Sequence, residues 1–137
     1  MNRLASEFRA ALLACDRKAL FISLQDFPAG ACGDASYLLA RYLKEKGCGE
    51  FDYVAGVRWP NFCSHAWLEK DGIIVDITAD QFEEIEDEVL VTFDNYWHSQ
   101  FEGNDRHIAD FERWGGFIAY NLRSSYELII KQIVKRR

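Results

Sequence analysis

The chain has 137 residues, 49% hydrophobic and 15% aromatic, which excludes a disordered polymer and suits one domain over 1–137 able to bury roughly two-thirds of its unfolded surface. A formal charge of −6 and a pI near 5.0, with no basic patch before the last few residues, argue against a nucleic-acid partner. No run of eighteen apolar residues occurs, and Met1 to Glu7 is charged rather than signal-like, so no membrane partner and a cytoplasmic location are expected.

Leu4, Phe8, Ala11, Leu12 and Cys15 recur at helical spacing and make residues 3 to 15 an amphipathic helix that Asp16 ends. From Phe21 to Ala31 the period breaks, and Pro28 with Gly30 marks a shaped loop. Ala35, Leu38, Leu39, Tyr42 and Leu43 form a second helical stripe closed by Gly47, with Cys32 at or beside its N-terminus. After Gly49 the period becomes that of strands, over Phe51 to Trp59, Cys63 to Glu69 and Gly72 to Thr78. Asp71-Gly72 joins the last two as a tight hairpin turn.

Thr78-Ala79-Asp80-Gln81 has the pattern of a helix start, and the acidic run Glu83 to Glu88 reads as a solvated face. A fourth strand is expected over Val89 to Phe93. Tyr96 to Phe117 is aromatic and poorly periodic, broken at Gly103 and Gly115-Gly116. Leu122, Tyr126, Ile129, Ile130 and Ile133 set a final helix over Tyr120 to Lys135, and the basic residues after it complement its dipole. The sum is an α+β fold, with N-terminal helices packed on an antiparallel sheet and a C-terminal helix.

The four cysteines, Cys15, Cys32, Cys48 and Cys63, read as free thiols, since a chain with this much core needs no staples. Cys15 falls on the core face of its helix. Cys63 and His65 invite a zinc reading, but no C-x-x-C pair and no second His at ligand spacing joins them, so neither a metal nor a cofactor is expected.

Cys32, His65 and Asp76 follow one another on a helix start, a strand and the next strand. Near its free pKa of about 8.5 a thiol is mostly protonated at neutral pH, and a helix N-terminus with a neighbouring imidazolium favours the thiolate. His65 would serve as base and then as acid, and Asp76 would fix its tautomer. Comparable distances from the Asp71-Gly72 turn make His65 and Asp76 near-neighbours, while the register that decides their facing stays open. Asp80 is a second acid that could take the place of Asp76. Gln25 and the amide of Cys32 are the oxyanion candidates, and the small residues Ala29 to Gly33 let a carbonyl approach the backbone. Trp59 and Trp67 read as core or cleft wall, and His98 and His107 as rim or surface residues.

Ala31-Cys32-Gly33-Asp34-Ala35-Ser36, Ser64-His65-Ala66-Trp67-Leu68-Glu69 and Ile74-Val75-Asp76-Ile77-Thr78 resemble the three core motifs of the transglutaminase-like superfamily of papain-like cysteine enzymes. The likeness covers roughly Gln25 to Phe82, and the Ala-Trp-Leu-Glu strand with its Asp-Gly hairpin is also similar to the leader-peptide proteases of lasso-peptide biosynthesis. The resemblance implies Cys32 as nucleophile, His65 as base and Asp76 as orienter. Gln25 stands one residue farther from the Cys than the papain-type spacing. The implied activity is a hydrolase acting through a thioester on amide bonds of a peptide or protein, as peptidase, amidase or deamidase. The alternatives are a transglutaminase or acyltransferase on the same triad, or an inactive module that binds a partner through Tyr96 to Phe117.

Overall fold

Apolar residues at helical spacing produce α1 (Asn2–Ala14), which buries Ala5, Phe8, Ala11 and Leu12 along one face. The computed structural model describes residues 1–137 apart from the side chain of Asn104. Two 3₁₀ turns, Arg17–Ala19 and Ile22–Leu24, occupy the loop region before α2 (Cys32–Glu45). Helix α2 begins on Cys32, buries Ala35, Leu38, Leu39, Tyr42 and Leu43, and stops short of Gly47, whose φ of 86° suits a residue without a Cβ.

The strands are β1 (Asp52–Arg58), β2 (Cys63–Lys70), β3 (Ile73–Asp76), β4 (Leu90–Thr92) and β5 (Glu102–Ile108). They form one sheet in the order β4-β3-β2-β1-β5, with every neighbouring pair antiparallel. Asp71 and Gly72, at φ of 51° and 82°, make the two-residue turn between Lys70 and Ile73.

Period-two alternation gives the sheet two different faces. Tyr53, Leu68, Val75 and Val91 stand opposite one another across β1 to β4 and pack into the main core with α1, α2 and the C-terminal helix α3 (Gly116–Arg136). Val54, Trp67 and Ile74 point the other way, into a smaller cluster closed by Phe82, Trp97 and Phe101 from the chain on either side of β4. The observed architecture is the expected α+β arrangement of N-terminal helices, antiparallel sheet and C-terminal helix.

Two elements depart from the sequence reading. Part of the stretch taken as irregular, Tyr96 to Phe117, is β5, a polar strand that the hydrophobic pattern does not reveal because it lies at the sheet edge and pairs on one side alone. Helix α3 starts four residues before Tyr120, since its first turn is exposed at Phe117 and carries no buried stripe. No helix among the described residues is long and apolar enough to cross a membrane.

Candidate active site

The pairing of β2 with β3 runs through Leu68 and Val75, and continuing its alternation puts His65, Trp67 and Asp76 on one face of the sheet. His65 Nε2 donates to Asp76 Oδ2 at 2.7 Å, with both residues buried. That bond leaves Nδ1 as the ring's exchangeable nitrogen, and Gln81 Nε2 lies 3.4 Å from it. Cys32 is the first residue of α2, and its charge acts on the same ring. The first backbone bond at this helix start runs from Ala35 N–H to Ala31 O at 2.8 Å, so the amides of Cys32, Gly33 and Asp34 have no intrahelical acceptor.

Burial works against charge on His65, but the hydrogen bonds and negative charges of Asp76 and Cys32 outweigh it and raise the imidazole to about 9. Burial likewise opposes ionisation of Asp76, and the hydrogen bonds and charges of His65 and His98 overcome it, holding the carboxyl well below the usual range. Asp76 is therefore a buried anion with its acceptor capacity in use. Oδ2 accepts from both imidazoles, while Oδ1 accepts from Thr78 N–H at 3.0 Å and from Thr78 Oγ1 at 3.4 Å.

His98 is the residue that sequence reasoning misplaced. Read as a rim or surface residue, it is only 3% exposed, and its Nε2 donates to Asp76 Oδ2 at 2.7 Å. It opens the 3₁₀ turn His98–Gln100, with its ring 4.7 Å from Trp67 and 4.8 Å from Trp97. The signal available in the sequence was the aromatic company of Tyr96, Trp97 and Phe101, which marks a buried neighbourhood where a histidine must find a partner. His107 is half-buried, its Nε2 2.6 Å from the Tyr37 hydroxyl.

Asp80 does not serve His65. Its two carboxylate oxygens take the two terminal nitrogens of Arg9 from α1, each at 2.8 Å, and the same guanidinium donates to Ile77 O and Glu88 O. Gln25 is held in the turn before α2, its side-chain amide donating to Leu20 O at 3.1 Å, and no hydrogen bond among the described residues joins it to Cys32, His65 or Asp76. Cys15 is buried in the core, as expected. Trp67 is a wall of the site, whereas Trp59 is 61% exposed. Glu84, from the acidic run, accepts from Arg58 and from Trp97 Nε1, and Arg58 lies over the rings of Phe82, Trp97 and Phe101.

His65, Asp76 and His98 offer ligand atoms within 4.8 Å of one another and are the residues that could hold a divalent cation. Such an ion would have to displace both Nε2 protons. The N···O separations of 2.7 Å are hydrogen-bond lengths, shorter than the roughly 3.3 Å between neighbouring ligands that tetrahedral zinc imposes. Cys63 stands outside this group, its thiol 3.1 Å from Asn61 O. Comparison with protein-family models, curated proteins and solved structures gives no match to this chain.

Proposed function

We propose that the chain is a cysteine-dependent hydrolase of the transglutaminase-like, papain-like type, acting through an acyl-enzyme on amide bonds of a peptide or protein. The observation that carries the reading is the buried His65–Asp76 hydrogen bond of 2.7 Å beside a cysteine at a helix start. A nucleophile at a helix start, a nearby imidazole and a carboxylate hydrogen-bonded to that imidazole are the minimal set for acyl transfer.

Cys32 Sγ adds to the carbonyl carbon with the thiol's proton already held on His65 Nδ1, the form that the raised imidazole favours. The negative oxygen of the tetrahedral adduct is met by the amide of Cys32, with Gln25 as the side-chain candidate through the N–H not given to Leu20. The C–N bond then breaks, and His65 returns the proton to the departing amine, leaving a thioester. Water attacks the thioester as His65 takes one of its protons. The C–S bond breaks, the acid leaves, and the proton taken from water stays on His65, which restores the starting state. Throughout, Asp76 holds the Nε2–H tautomer and stabilises the imidazolium.

The test is alkylation by iodoacetamide at pH 6.5, read by peptide mass spectrometry at all four cysteines. Cys32 should react about tenfold or more faster than Cys15, Cys48 and Cys63, and His65→Ala should remove most of that difference. A Cys32 no faster than its three companions would sink the reading.

A further inference from the structure

Beyond the triad lies a cavity of about 500 Å³, within the size range of ligand-binding pockets. Gly33, the residue after Cys32, forms part of its wall. A Cβ at Gly33 would stand 3.1 Å from the Tyr53 hydroxyl, so a side chain there would crowd this end of the cavity. Tyr53 therefore approaches the helix start one residue after Cys32, which brings this end of the cavity near the nucleophile's position in the chain.

The walls carry several aromatic rings. Tyr37 and Tyr53 stack at 4.6 Å with their planes 9° apart, the ring of His107 continues the stack 4.9 Å from Tyr53, and Trp114 meets Tyr37 edge-on at 6.3 Å. Phe21 and Ile118 complete the apolar lining. Most of the polar groups in the wall are spent on one another. Asp34 accepts from Ser23, Asp105 is 2.8 Å from His107 Nδ1, and His107 Nε2 faces the Tyr37 hydroxyl. The guanidinium of Arg113 lies 5.6 Å from the Trp114 ring centroid. An entering group therefore meets ring faces and edges, which reward burial of a flat apolar surface and favour offset or edge-on contact with a second ring.

We propose that this cavity is a substrate subsite that takes a bulky aromatic side chain of the peptide beside the bond attacked by Cys32. The inference rests on the acyl-enzyme reading of Cys32 and adds to it the class of substrate. Aliphatic side chains would forgo the offset and edge-on ring contacts, and an acidic side chain would have to face Asp34 and Asp105 as well as Arg113.

The experiment compares labelling of Cys32 by N-acetyl-aminoacyl chloromethyl ketones that carry Phe, Leu, Gly or Glu side chains. Each rate is divided by the iodoacetamide rate of the same protein, so that thiol reactivity cancels and recognition remains. The Phe reagent should exceed the Gly reagent by about tenfold or more, with Leu between them and Glu near Gly. Ile118→Trp, which fills the cavity from its wall, should cut the Phe-to-Gly ratio by about fivefold or more. Equal Phe and Gly ratios, a preference for Glu, or a ratio that survives Ile118→Trp would overturn the subsite. A second readout does not need the thiol. In Cys32→Ala, N-acetyl-phenylalaninamide should move the Trp114 indole N–H resonance where N-acetyl-glycinamide does not, and an unmoved resonance would overturn the subsite too. Failure of the iodoacetamide test with a moving Trp114 resonance would remove the hydrolase and leave an aromatic-binding cavity.

Discussion

Asp76 Oδ2 is shared by two imidazoles, and this sharing sets how firmly His65 holds its proton. The N–H that His98 donates draws charge away from the oxygen that faces His65, so the anion pulls less on the His65 proton than it would alone. Other charges near the ring are Cys32 from α2 and, one layer out, the Arg58–Glu84 pair over the aromatic cluster. With His65 raised to about 9, the proposed amide hydrolysis should fall on the alkaline side through that pH, as the ring loses the proton needed by the leaving amine. His98→Leu removes the competing donor, so this limb should move to higher pH while the rate drops by about tenfold or more. His98→Gln, which keeps an N–H donor, should recover much of both. An unmoved alkaline limb in His98→Leu would reduce His98 to packing.

At the scale of elements, the site depends on β5 closing over β1. Gly56, opposite His65 on β2, lies where the pairing of β1 with β5 shifts register between Ala55 and Val57. A Cβ at Gly56 would sit 2.8 Å from Glu102 O and 3.0 Å from the carbonyl carbon of Phe101, and these are backbone atoms that cannot swing aside. Gly56→Ala should therefore lift the segment after His98 and cost about 1–3 kcal/mol, read as a lowered urea midpoint and a loss of selective Cys32 alkylation. Wild-type stability in that variant would mean that the close approach is unimportant. The same elements show which parts of the fold were legible. Helix α2 and the β2–β3 hairpin were readable because their apolar period and the Asp71-Gly72 turn are local signals. The same-face placement of His65 and Asp76 followed only from the register. Strand β5 and the seat of His98 were hidden because both are defined by what packs on them, a polar edge beside β1 and a ring of aromatics around Asp76.

Across the whole molecule, the sheet separates a helical core from a small aromatic cluster, and the buried His65–Asp76 pair lies against the latter. Ionised groups in such a place couple protonation to folding. His65 holds its proton more tightly folded than unfolded, since its pKa rises from 6.5 to about 9. Its contribution to stability is therefore complete below pH 6.5 and is lost as pH rises through about 9. Asp76 has the opposite sign. Its carboxyl is lowered from 3.8, so its contribution is present above that pH and is lost as pH falls toward the folded value. Both contributions are complete between about pH 4 and 6.5, which places the window of greatest help from the pair on the acid side of neutrality. Urea unfolding of wild type and His65→Gln at pH 6.5 and 9.5 isolates the histidine, because the other titrating groups are common to both chains. The stability gap between them should narrow by about 3 kcal/mol at the higher pH, the linkage equivalent of the rise at His65. A gap that stays constant would mean that His65 binds its proton no more tightly in the folded chain than in the unfolded one, and the imidazolium–carboxylate pair at the centre of the site would have to be abandoned.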